Sequence, residues 1–220
     1  MNNPAHTLTD LASRGAGATL ALAIAGIAAV RRTKPLHPQG DVGRGVLHVN
    51  GTTTTGVAIL DQPADHDVLI RHSRAIGLDA PAPDIEGIAM RIEGAGDLLF
   101  AGTGSGRWSR RALALRTSAG TCSTLLPLDG PRGPLDLRLE PSGEGRWTLS
   151  VSEQSGPWQT VGEVVEGEAH ADAPVRFDPI QNPVPGLAHY PLWQQVRAPA
   201  YALARRLRPH PQASDDGSQW

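Results

Sequence analysis

A chain of 220 residues with 40% hydrophobic side chains is long enough to bury a sizeable core, which excludes a disordered tail protein. Its 20 basic residues against 22 acidic ones leave a formal charge of −2, so the electrostatic footprint of a nucleic-acid binder is missing. The single cysteine, Cys122, has no partner for an internal disulfide or for a structural zinc site, which fits a reducing, cytoplasmic setting. Glycine and proline together make 44 of the 220 residues, a bias toward short strands and turns and hence toward a mainly β fold.

The chain opens with an arm, residues 1–33, whose Gly15–Val30 stretch carries sixteen residues without a charge before Arg31, Arg32 and Lys34. As a helix this stretch spans roughly 24 Å, short of the roughly 30 Å hydrocarbon core of a bilayer. Three placements suit it: against its own protein or a second copy in a homo-oligomer, at a membrane surface, or in an export signal. The last is the poorest fit, because the basic cluster follows the apolar run instead of preceding it.

From Arg44 the apolar period changes to two. Strands are predicted at Gly45–Val49, Gly56–Leu60, Asp67–Arg71, Ile85–Ile92, Asp97–Ala101, Arg110–Arg116, Leu135–Leu139, Arg146–Ser152 and Trp158–Val165. The alternation is clearest in Leu135, Leu137, Leu139 and in Trp147, Leu149, Val151. No amphipathic helix separates these segments, which rules out a parallel α/β sheet, and residues 44–165 are expected to form an antiparallel β-barrel. The barrel region as a whole is assigned to 34–182. After Pro183, Pro185 and Gly186 comes a helical segment to residue 209, with Trp193, Val196, Ala200, Leu203, Ala204 and Leu207 at spacings of three and four. Pro199 should kink or restart it. Residues 210–220 form a polar tail.

Two tempting motifs carry no chemistry. Gly102-Thr-Gly-Ser-Gly106 lacks the lysine of a phosphate loop and reads as a plain loop. Asp65-His66-Asp67 offers metal-ligating side chains, but three adjacent residues cannot all converge on one ion, so they read as a solvated turn. Two other features stand out at opposite ends of the chain: Lys34-Pro-Leu-His37-Pro-Gln-Gly40, ahead of a strand, and Arg197-Ala-Pro-Ala-Tyr201, ahead of Arg205, Arg206 and Arg208. Four residues apart on a helix, Arg197 and Tyr201 share a face, and a guanidinium beside a phenol favours the phenolate, a hard ligand for ferric iron.

The segment His37-Pro-Gln-Gly40-Asp-Val-Gly-Arg-Gly45-Val-Leu-His-Val49 resembles the distal-histidine region of haem catalases. Val68-Leu-Ile-Arg71-His-Ser73 is similar to the catalase Val-Arg-Phe-Ser strand, and Pro83-Asp-Ile-Glu-Gly87-Ile-Ala89, with Asp97-Leu-Leu beyond it, to the stretches that follow. Phe177-Asp-Pro179, Pro185-Gly-Leu187, Arg197-x-x-x-Tyr201 and Arg208 stand in the order of the proximal region. Across residues 32–209 these fragments make the chain look like a small, divergent member of the catalase-like haem superfamily, the catalase-related peroxidases.

This resemblance implies a barrel of about eight strands flanked by an apolar N-terminal helix and a C-terminal helix, and a haem b cofactor. Tyr201 is then the proximal iron ligand, kept as phenolate by Arg197. His37 is the distal acid–base group and Ser73 orients its imidazole, while Lys34, Arg71 and Arg208 neutralise the haem propionates. Two departures matter: the amide expected near Gly102 is absent, and His72 and Pro83 replace a Phe and an Arg. The implied activity is that of a peroxidase acting on peroxide or organic hydroperoxides, met at a membrane if Gly15–Val30 associates with one. The competing expectation is a catalase-like barrel that has lost haem and serves as a binding or scaffold module.

Overall fold

The computed structural model describes residues 40–77, 81–106, 108–170 and 175–189. Among these, nine strands form one antiparallel sheet: β1 Gly40–Val49, β2 Ala64–Arg74, β3 Glu86–Ile92, β4 Gly96–Gly102, β5 Cys122–Ser123, β6 Leu128–Gly130, β7 Gly133–Gly143, β8 Arg146–Glu153 and β9 Gln159–His170. The order β5-β4-β3-β2-β1-β9-β8-β7 closes on itself where Cys122 and Ser123 pair with Leu139 and Arg138. Eight strands thus make a closed barrel, and β6 is a hairpin extension of β7. Closure removes the unpaired edges that an open sheet exposes.

Two-residue alternation decides which side chains fill the interior. Leu47, Val49, Val68, Ile70, Ile88, Met90, Ile92, Phe100, Leu135, Leu137, Leu139, Leu149, Val151 and Val164 are all buried in one core. Turns are tight: Gly143 pairs with Arg146, and Gly145 takes φ +60° between them, a left-handed conformation that costs a residue without Cβ little. Where β1 crosses β9, a Cβ on Gly162 would collide with the His48 carbonyl, so the close approach of these strands requires glycine there.

Several expectations are corrected. Gly56–Leu60 is not a strand but a turn leading into the single-turn helix α1, Ala58–Asp61. The Asp61 carboxylate explains this, accepting hydrogen bonds from the Thr53 and Thr55 hydroxyls and from the Thr55 and Gly56 amides, all within 2.9 Å. Burial works against that charge, yet these bonds hold the carboxyl below its ordinary value. Arg110–Arg116 is likewise no strand: a 3-10 turn, Ser109–Arg111, is followed by isolated bridges at Leu113 and Arg116. There Arg110 and Arg111 bond to Ser152, Ser155 and Asp136 side chains, so the segment clasps the barrel wall instead of joining its ladder.

Asp65-His66-Asp67 is not a turn. It lies within β2 opposite His48, Leu47 and Val46, because β1 is long enough to extend the ladder. Strands β5 and β6, two and three residues long, were too short to show any alternation. Gly15–Val30, the helical segment from Trp193 onward and the tail lie outside the described residues.

Candidate functional site

Strand β2 separates two environments at one end of the barrel. Val68 and Ile70 point into the core, and His72 follows in the same phase. Arg71 and Ser73, in the opposite phase, lie on the outer wall. In the ladder Arg71 stands beside Val42 and Ser73 beside Gly40, at the very start of β1. The Arg71 guanidinium lies across Gly40: a Cβ on that glycine would come within 2.9 Å of Arg71 Cζ and Nη2. Ser73 is buried and its hydroxyl donates to the Gly87 carbonyl at 3.1 Å.

Of the predicted site residues, the structure therefore brings Arg71 and Ser73 together on one face. Lys34, His37, Arg197, Tyr201 and Arg208 lie outside the described residues. At the position expected for the distal amide, Gly102 ends β4 and the buried Thr103 hydroxyl donates to Ser123 Oγ at 3.1 Å.

The inner phase of the same strand end holds a cluster the motif reading passed over. His72 Nε2 lies 2.7 Å from Glu166 Oε1, and Nδ1 lies 3.8 Å from Glu86 Oε1. Its ring stacks on Trp147 with centroids 5.6 Å apart. Burial opposes charge on the imidazole, but hydrogen bonds and attraction to Glu166 and Glu86 outweigh it and raise its pKa to about 9. His72 is therefore an imidazolium at neutral pH. Glu86 Oε2 also accepts from the Gly120 amide at 3.2 Å and faces Cys122 Sγ at 3.7 Å. Burial, reinforced by the Glu86 charge, pushes the Cys122 thiol far up, so it is neither a thiolate nor a nucleophile.

The arrangement ties β2, β3, β5 and β9 across one mouth of the barrel by charge. A signal for it exists in the sequence: His72 keeps step with Val68 and Ile70, as Glu86 does with Ile88 and Met90, so polar residues recur in an apolar phase. Among the described residues no group of three or more His, Cys, Asp or Glu side chains is disposed to hold a metal ion. No described helix is long and apolar enough to cross a membrane. No protein-family model matches this chain, and neither does any curated protein.

Proposed function

We propose that the chain is a haem-dependent oxidoreductase of the catalase-like type, acting as a peroxidase on peroxides or organic hydroperoxides. The observation that supports it best is the placement of Arg71 and Ser73 on one outer face of β2, against Gly40, three residues after His37. These residues fit the group: Arg71 is a cation with a site cleared for it by Gly40, suited to a propionate, and Ser73 has an oxygen able to accept from an imidazole N–H.

Haem, when bound, supplies an iron centre at which an O–O bond can be cleaved. Tyr201 would ligate that iron, and Arg197 would keep the phenol oxygen deprotonated. His37 would take the proton from one peroxide oxygen and deliver it to the other, and Ser73 would orient its ring. Lys34, Arg71 and Arg208 would neutralise its carboxylates. Thr103, engaged with Ser123, offers no amide to a bound peroxide, which favours bulkier hydroperoxides over rapid hydrogen peroxide disproportionation. The same observation favours a second reading, a barrel retained as a binding scaffold without haem.

The visible absorption spectrum of the full-length protein, purified with haem supplied, separates the two. A phenolate-ligated ferric spectrum is expected. His37→Ala should keep that pigment and slow its reaction with cumene hydroperoxide by about 10² or more. A colourless protein would leave the scaffold reading standing.

A further inference from the structure

On the outer wall of the barrel, away from Arg71 and Ser73, segment 116–121 meets β7, β8 and β9 around an open cleft of about 650 Å³. Leu135, Leu137, Leu139, Trp147, Leu149 and Val151 occupy the inner phase of β7 and β8. Alternation therefore sends Arg138, Glu140, Thr148 and Ser150 outward, where with Thr160 and Arg116 they line the cleft.

Its charges do not balance. Glu140 Oε2 lies 2.7 Å from Arg138 Nη2, so that carboxylate is already matched. Beneath them Arg110 and Arg138 rest against the same Trp158 ring, 4.4 and 4.3 Å from its centroid. Asp136 serves both Arg110, at 3.6 Å, and Arg111, at 3.0 Å. Among the described residues Arg116 has no carboxylate within ion-pair distance. It donates to the carbonyls of Thr121, at 3.2 Å, and Thr103, at 2.6 Å. Arg110, Arg111 and Arg138 thus share two carboxylates, and Arg116 pairs with neither. The layer is also short of acceptors, since the buried Arg110 Nε, Arg138 Nε and Trp158 Nε1 find none.

Arg116 is held in place before any ligand arrives. Its guanidinium lies over Gly120, where a Cβ would collide with Nη1, and the two carbonyls fix its plane. Three hydroxyls on β8 and β9, Thr148, Ser150 and Thr160, add rotatable donors to the lining. A guanidinium and several hydroxyls around one cleft suit an oxyanion with several acceptor oxygens, and the volume leaves room for a substituent.

We propose that this cleft binds a small phosphate-bearing anion, with Arg116 as its principal cation and Arg138 and the three hydroxyls completing the donor set. The site uses none of the residues assigned to haem. Inorganic phosphate and glycerol 3-phosphate, each titrated into the full-length protein at low ionic strength with sodium chloride as control, test it by calorimetry and by amide chemical shifts. Saturable binding is expected, with shifts confined to residues 116–121, 138–141, 148–150 and 160. Arg116→Gln should weaken it about tenfold or more, as loss of a charged hydrogen bond does. Thr148→Val, an isosteric change at a half-buried position on the outer phase of β8, should weaken it severalfold while the fold stays intact. Tighter glycerol 3-phosphate binding identifies a phosphorylated polyol as the ligand; equal affinity identifies free phosphate. The proposal is overturned if neither probe binds below about 10 mM, if the shifts map elsewhere, or if Thr148→Val and whichever Arg116 variant folds bind as the wild type does.

Discussion

Strand alternation gives His72 its unusual position, since a titratable ring in step with Val68 and Ile70 must enter the end of an apolar barrel. Two carboxylates, Glu166 and Glu86, make that position tolerable by keeping the ring charged. An imidazole whose folded pKa is about 9, against about 6.5 unfolded, stabilises the fold fully below pH 6.5 and loses that contribution as pH rises through 9. Urea midpoints should therefore fall between pH 6.5 and 10, by roughly 1–3 kcal/mol in unfolding free energy. His72→Gln should flatten that dependence; a slope unchanged in the variant would assign it to other groups. Beside it, the Cys122 thiol should resist iodoacetamide at pH 8 in the native protein and react once urea unfolds it, because burial and Glu86 both oppose the thiolate. Prompt labelling of the folded protein would contradict this.

Elements are joined by buried carboxylates as much as by ladders. Asp97, in β4, accepts from Arg91 Nε at 2.7 Å, from the Asp178 amide at 2.7 Å and from Asn182 Nδ2 at 3.1 Å, so one side chain fastens residues 175–189 to the barrel wall. Asp97→Ala strands those donors and should cost about 3 kcal/mol or more, with hydrogen exchange rising first at the amides of Asp178 and Asn182. Uniform loss of protection across all strands would show instead that the clasp belongs to the cooperative core. Such clasps also mark where sequence reading stops. Barrel strands were legible because Leu135–Leu139 and Trp147–Val151 alternate without interruption. Arg110–Arg116 alternates too, but its arginines find Asp136 and Trp158 only after the barrel has closed, and that long-range pairing leaves no local trace. Likewise the four bonds that gather at Asp61 turn an apparent strand into a helix turn. Arg71 and Ser73 could be placed on one face from their spacing alone. That the face is the outer one, beside Gly40, required the register of β1 with β2.

At the scale of the whole molecule, stability and pigment should be separable. Among the described residues the core cluster lies within residues 47–187, and the ring closes between β5 and β7. The proposed iron ligand, Tyr201, and its arginines stand later in the sequence. Tyr201→Phe removes only the ligand oxygen while conserving the ring, so it makes no cavity in the barrel core and leaves every strand pairing intact. The variant is expected to keep the wild-type urea midpoint without haem, yet to lose the phenolate-to-iron absorption and the extra stability that bound haem confers by mass action. Arg197→Ala should hold haem more weakly than wild type, because the phenolate loses its counter-charge. Full-length variants measured side by side, with and without added haem, decide the matter. A Tyr201→Phe protein that carries haem with an unaltered spectrum removes the residue from the iron, and with it the catalase-like assignment of the chain.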